Sequence, residues 1–246
     1  ATVGYYPMTD TEKFVKSLEQ SFNSKAFYIP WLGKDIKIMA VRNGRFLHIT
    51  MSAAFVDKYV DSMEDYIKKK NGLYQTVAWF GSEYIKETGA DLELSSLGIN
   101  MLDDHSRGID GIFMTVNGTS AESGDSGQVG RGNDPNGFIP LCRPMASEAA
   151  PGKNPVSHVG KIYNALAFEL AKDIYKAINI PRSEVYCWLV SQIGRPINMP
   201  MHVAVQINGG LSTDVEYKTV NEVINKRFDK LDEFCNRLAN GEIKLW

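Results

Sequence analysis

Between Gly118 and Gly137 the chain reads GTSAESGDSGQVGRGNDPNG, twenty residues with six glycines, hydroxyls at Thr119, Ser120, Ser123 and Ser126, a base at Arg131, and Glu122 and Asp125 among its acids. Glycine reaches positive φ and lets a ligand approach the main chain, so that successive N–H groups, here those of Gly124, Ser126 and Gly127, can converge on an anion. A carboxylate such as Asp125 beside a guanidinium such as Arg131 suits a phosphate chain carrying a divalent cation. The same composition also suits a surface linker. A second anion site follows in PGKNPVSHVGK, where Asn154 and Pro155 are favoured types for an N-cap and a first helical residue. A helix starting there would present free N–H groups beside Lys153, with His158 and Lys161 in its first two turns. Asp125, Arg131, Lys153, His158 and Lys161 make a set for electrostatics rather than covalent chemistry. Such a set stabilises a polyphosphate, either bound or departing as a leaving group.

Other chemistries lack their residues. There is no GxxxxGK[ST] loop, no GxGxxG fingerprint and no GxSxG elbow. Cys142, Cys187 and Cys235 are odd in number and widely spaced, which indicates neither a disulfide framework nor a zinc site. In apolar periodic segments, Cys187 and Cys235 read as buried thiols. A net charge of −2 over 246 residues gives no electrostatic case for nucleic acid or an anionic membrane. The apolar runs fall short of the roughly 18 to 20 residues that span a bilayer, and no signal peptide is recognisable, so a cytoplasmic protein is the expectation.

The elements that must hold these residues follow from periodicity. Thr9 and Glu12 form a capping box ahead of Phe14, Val15, Leu18 and Phe22, giving a helix that ends near Asn23. DIKIMAVR and RFLHITMS alternate around Asn43-Gly44 as a hairpin, with Ile36, Ile38, Ala40, Leu47, Ile49 and Met51 inward and His48 outward. A helix from about Val56 is expected to be capped by Gly72, and another, through Val77, Phe80, Tyr84 and Ile85, to stop at Gly89. DLELSSLG and GIFMTVNG read as strands, and Asp103, Asp104 and His105 between them as a solvated turn. A long helix beginning near Asn154 buries Val159, Ile162, Tyr163, Leu166, Leu170, Ile174 and Ile178. VYCWLVSQ and MHVAVQIN are strands, and a last helix runs from a Thr213/Glu216 capping box to Gly241. Locally paired strands and long helices without repeated βα alternation point to an α+β fold, mixed or antiparallel sheets covered by long helices. The units are expected at residues 1–117 and 118–246, the second opening on the glycine-rich loop.

The stretches GTSAESGDSGQVGRGN, RPMASEAAPGKNPVSHVGKIYN and LVSQIGRPI, supported by DIKIMAVRNG and AAFVDKYV, resemble the archaeal type of methionine adenosyltransferase, or S-adenosylmethionine synthetase, over nearly the whole chain. The resemblance implies a three-domain fold and the formation of S-adenosylmethionine from ATP and L-methionine. Sulfur displaces the triphosphate from C5′, and water then hydrolyses the triphosphate to pyrophosphate and phosphate, which are released. It implies magnesium, with potassium as a second candidate cation, and a homodimer or higher oligomer. By resemblance Asp125 contacts substrate including the methionine amino group, Arg131 the triphosphate and Lys153 the ATP phosphates. Ala149 would lie near the nucleotide and Ile193 near adenine. His158 falls where bacterial relatives have a second phosphate-binding lysine, and Gly160 where they have a magnesium-binding aspartate, so the metal ligands are open. The opening ATVGYYP, without an initiating methionine, suggests that the family's N-terminal third is absent, and the chain alone is expected to be inactive. Two readings result: the C-terminal part of a synthetase whose other part is a separate chain or was lost, or a non-catalytic nucleotide-binding partner of a complete relative.

Overall fold

The computed structural model describes residues 1–119, 121, 134–146, 148–209 and 214–245. They form an α+β structure in two units, Ala1–Met8 with Val129–Trp246, and Thr9–Gln128, each with its own core. The division interleaves, since the opening strand belongs with the C-terminal unit rather than with the residues that follow it. Among the described residues no helix is long and apolar enough to cross a membrane.

In the unit formed by Thr9–Gln128, helix α1 (Asp10–Asn23) starts with the capping box in place, Thr9 and Glu12 each accepting the other's backbone N–H. Strands β2 (Leu32–Asn43) and β3 (Phe46–Val56) pair antiparallel, with Ile38 opposite Met51 and Ala40 opposite Ile49. Asn43 itself pairs with Phe46, so the loop is Gly44-Arg45, one residue later than the Asn-Gly reading. Gly44 at φ 61 takes the first loop position of a two-residue hairpin, where glycine is favoured. Inward Leu47, Ile49 and Met51 are buried, while His48 faces outward and its Nδ1 lies 2.8 Å from Ser96 Oγ. Helix α2 (Met63–Thr88) carries the chain to β4 (Glu93–Ile99), which pairs parallel with β3 in one βαβ crossover.

Further expectations in this unit are corrected. Residues 57–59 form a 3₁₀ turn, and α2 begins only at Met63, where the Ser62 hydroxyl caps Asp65 N–H. Gly72 ends nothing: it sits exposed inside one continuous helix whose cap is Gly89 at φ 64, because the apolar stripe of Tyr66, Leu73 and Val77 continues through it. A Cβ at Gly72 would meet nothing within 4 Å. Gly72→Ala is therefore expected to stabilise this unit by about 1 kcal/mol, read as a raised denaturation midpoint; an unchanged or lower midpoint would contradict the open helical site. GIFMTVNG is a strand only at Met114–Thr115 (β5), paired with the far end of β3.

The turn after β4 is also less solvated than its residue types suggest. Asp103 is 5% exposed at its side chain, accepts from Lys70 Nζ at 2.6 Å and from Tyr66 Oη at 2.9 Å, and so closes a network over buried Asn100. Burial pushes the Tyr66 hydroxyl well above its ordinary range, which keeps it a neutral donor to Asp103. A 3₁₀ helix, His105–Gly111, follows, with the Asp104 side chain accepting from Ser106 N–H.

In the other unit, β1 (Thr2–Tyr6), β6 (Glu184–Val190) and β7 (His202–Asn208) form an antiparallel sheet in that order. Helix α3 (Val159–Ile178) lies on β1 and β6, with α4 (Asp214–Asp229) against α3. Covered from two sides, α3 buries Ala165, Ala167 and Ala171 as well as Ile162, Tyr163, Leu166, Leu170 and Ile174 of the expected stripe, while Val159 and Ile178 at its ends are partly buried. The last helix is broken at Lys230 into α4 and α5 (Leu231–Ala239). Gly241 at φ 73 ends it, with its N–H on Leu238 C=O and that of Glu242 on Arg237 C=O, a pairing that satisfies the last carbonyls. Thr213 lies outside the described residues. Cys187 and Cys235 are buried, and desolvation pushes the Cys187 thiol up to about 12.

Candidate functional site

The glycine-rich loop is anchored at both described ends. At its start, Gly118 N–H donates to Thr115 Oγ1 and Gly118 C=O accepts from Asp35 N–H, both at 3.0 Å. Gly118 and Gly33 touch backbone to backbone, a Cβ on Gly33 falling 2.5 Å from Gly118 Cα, so neither position admits a side chain. At its end, Asn136 donates to Tyr5 Oη on β1, and Gly137 N–H closes a turn on Asp134 C=O at 2.9 Å. Burial raises the Asp134 carboxyl above its ordinary range. Gly124, Asp125, Ser126, Gly127 and Arg131 lie outside the described residues.

The second predicted site is built by the start of α3. Its helix begins at Val159, not near Asn154, and His158 is the N-cap, its Nδ1 accepting Gly160 N–H at 3.0 Å. That hydrogen bond requires Nδ1 to be unprotonated. Asn154 caps an isolated turn instead, its side chain accepting from Val156 and Ser157 N–H at 2.8 and 3.0 Å. The Pro155 turn therefore presents Lys153 ahead of the helix rather than within its first turn. Lys153 Nζ sits 2.7 Å from Glu148 Oε1, and this hydrogen bond is the main cause holding the Glu148 carboxyl below its ordinary range.

Glu148 is held from α3. Asn164, fully buried, donates to the Glu148 carbonyl. Gly160 leaves the space that the Glu148 side chain fills, since a Cβ there would come 2.7 Å from Glu148 Cγ. A larger side chain at this position would not fit the arrangement. The neighbouring helix residue, Tyr163, donates to Ile197 C=O at 2.6 Å and so ties the loop between β6 and β7 to the same turn of α3. In that loop Gln192 to Arg195 form a turn with Gly194 at φ 84, and Ile193 stands fully exposed at its tip. Ala149 is half-buried beside Glu148, and Lys161 is half-buried on α3.

One helical turn thus positions the segments carrying Lys153, Ala149 and His158 and, through Tyr163, the loop carrying Ile193. Glu148, Tyr163 and Asn164 were not legible as site residues from the sequence, where a polar Asn164 in an otherwise apolar stripe was the signal, and Gly160 stood out by resemblance alone, without the space it leaves for Glu148. Glu148 is engaged by Lys153, and among the described residues no three His, Cys, Asp or Glu side chains gather as metal ligands.

Residues 1–242 match a family model described as S-adenosylmethionine synthetase (AdoMet synthetase). A "Probable S-adenosylmethionine synthase" of Aquifex aeolicus (strain VF5) is 40% identical over 242 residues, 98% of this chain and 58% of that protein. An S-adenosylmethionine synthase of Thermococcus onnurineus (strain NA1) is 38% identical over 248 residues, 99% of this chain and 59% of that protein. One of Pyrococcus furiosus (strain ATCC 43587 / DSM 3638 / JCM 8422 / Vc1) is 43% identical over 207 residues, 83% and 49% respectively. The chain spans about half to three fifths of the length of these curated relatives.

Proposed function

The chain belongs to the S-adenosylmethionine synthetase family, and on that premise we propose that the protein forms S-adenosylmethionine from ATP and L-methionine, with release of phosphate and pyrophosphate. The observation that carries the reading is the assembly at the start of α3, where the segment with Lys153 and the loop with the exposed Ile193 are tied, through the Glu148 and Ile197 carbonyls, to consecutive residues Asn164 and Tyr163 of one buried helix. In this reading Lys153 binds ATP phosphate, with His158 and Lys161 along the same helix start. Asp125 and Arg131, with the N–H groups of Gly124, Ser126 and Gly127, hold methionine and the triphosphate. Ala149 and Ile193 flank the nucleotide.

The work of such a site is alignment and charge. Attack of sulfur on C5′ expels a triphosphate, and charge grows on the bridging oxygen as the bond breaks. Fixed cations placed before the reaction stabilise that charge without reorganising. Magnesium accompanies the nucleotide in this reading, with potassium as a second candidate, and a homodimer or higher oligomer completes it; no step is assigned to either ion.

The test is S-adenosylmethionine formation by the full-length protein from ATP, methionine and magnesium, with Asp125→Asn, Arg131→Ala and Lys153→Ala beside the wild type. Each substitution is expected to lower kcat/KM by about tenfold or more, the loss of one charge-assisted contact. Nucleotide binding without any product would favour a non-catalytic partner subunit, and product formed at the wild-type rate by all three variants would overturn the site.

A further inference from the structure

We propose that Glu148 is a resident counter-anion for Lys153, a positioning residue whose carboxylate occupies the place of the incoming phosphate and retakes the ammonium as phosphate leaves. The inference rests on the reading of Lys153 as a phosphate-binding residue. Three features of the structure separate this pair from an incidental surface ion pair. The contact is short, 2.7 Å, on a lysine whose side chain is only 22% exposed. The backbone of Glu148 is fixed by a fully buried side chain, Asn164, whose donation to the Glu148 carbonyl serves no purpose within the helix. The side chain of Glu148 then fills space that exists only because residue 160 has no Cβ, the separation to its Cγ being 2.7 Å.

The physical consequence is an exchange. An ammonium accepts a limited number of close anionic partners, and a carboxylate left beside a bound phosphate repels it. Phosphate must therefore displace Glu148, and the ion pair lost is subtracted from the binding free energy. When the site is empty the carboxylate keeps the ammonium in place. When a phosphate product dissociates, the carboxylate is at hand to replace it, which shortens the residence of an otherwise strongly held anion. Glu148 accordingly weakens phosphate binding while ordering the group that provides it, opposite in sign to a residue that merely supports the fold.

That sign is what the experiment reads. Binding of tripolyphosphate and of pyrophosphate to the full-length protein, without divalent metal, is measured by titration calorimetry for wild type, Glu148→Gln, Lys153→Ala and the double variant. Glu148→Gln keeps the side chain's shape and removes its charge, and it is expected to tighten both ligands about fivefold, the weight of a part-exposed ion pair. Most of the change should appear as slower dissociation. The gain should vanish when Lys153 is alanine. Unchanged or weaker binding in Glu148→Gln, alongside weakened binding in Lys153→Ala, would overturn the counter-anion role and leave the phosphate site standing. Binding indifferent to Lys153→Ala would overturn both.

Discussion

Gly4→Ala is expected to destabilise the unit built on β1, β6 and β7 by about 3 kcal/mol, at the upper end of what overpacking a well-filled core costs. The reason is a backbone-to-backbone approach. A Cβ at residue 4 would lie 2.2 Å from both Ala167 C and Phe168 N and 2.5 Å from Ala167 O, atoms of the middle of α3 that cannot move without the helix. The helix cannot yield cheaply, because Ala167 and its neighbours Leu166 and Leu170 have no exposed surface and α4 backs them. Nor can β1 yield, since Gly4 is paired with Cys187 and the adjoining Tyr5 ring packs edge-on against Phe168 at 5.1 Å. Two units with separate cores can unfold in separate transitions, so the shift belongs to the transition that includes β1. A fall in its midpoint of roughly 9 to 18 °C is expected for a unit of about half the chain, which shifts further per kcal/mol than a larger domain would. A midpoint within a degree of the wild type would show that α3 is not seated on β1 as described. The effect should reach function as well, because lifting α3 carries Asn164 and Tyr163, and with them the Glu148 and Ile193 segments, out of position.

The helices and strands with strong periodicity could be read from the residues: the Thr9 capping box, the inward Ile38, Ala40, Ile49 and Met51 of the hairpin, the α3 stripe and the paired β6 and β7 all stand where their patterns put them. What failed was punctuation. Gly72 looks like a stop because glycine weakens a helix, yet the stripe around it binds enough apolar surface to the sheet to carry the helix through. Asn154-Pro155 has the right types for a helix start, but the side chain of Asn154 closes a local turn and hands the cap to His158, a residue type that propensity would not select. Asp103 looked solvated because its neighbours in sequence are polar; its partners Tyr66 and Lys70 lie more than thirty residues away. The candidate site divides in the same way. Lys153 and the family resemblance were visible as local sequence, whereas Glu148, Gly160, Tyr163 and Asn164 acquire a role only when α3 brings them together. No periodicity encodes that a missing Cβ at residue 160 makes room for a carboxylate twelve residues earlier.

Among the described residues of the long segment from Asp134 to Ser157 there is no helix or strand, and Arg143 is expected to be what holds its middle to the fold. The Arg143 side chain is 5% exposed. Its Nη1 donates to Tyr186 Oη at 2.7 Å and lies 3.4 Å from Glu184 Oε1, and its Nη2 donates to Pro7 C=O at 3.0 Å. The guanidinium also lies over the Tyr5 and Tyr186 rings, at 4.5 and 5.6 Å from their centroids. One planar cation thus joins the segment to the end of β1 and to β6 at once, a geometry that a lysine does not reproduce. Arg143→Met keeps much of the apolar stem and removes every donor, leaving Pro7 C=O without this partner and Glu184 without this cation. Because Glu184 is more than a third exposed, water takes up part of that loss, and a destabilisation of about 2 kcal/mol is expected rather than the larger figure for a fully buried pair. Arg143→Lys should fall between, recovering charge but not the two-way donation. The loss is also expected to be local before it is global. Amide hydrogen exchange across residues 134–150 should rise in Arg143→Met at temperatures where α3 and β6 remain protected, and tripolyphosphate binding should weaken with it, since Lys153, the group read as holding phosphate, lies ten residues further along the same unsupported segment. Exchange that rises only together with that of α3 would mean that the segment is held by its remaining contacts, Asn136 on Tyr5 and Glu148 on Asn164, and that Arg143 serves the sheet alone.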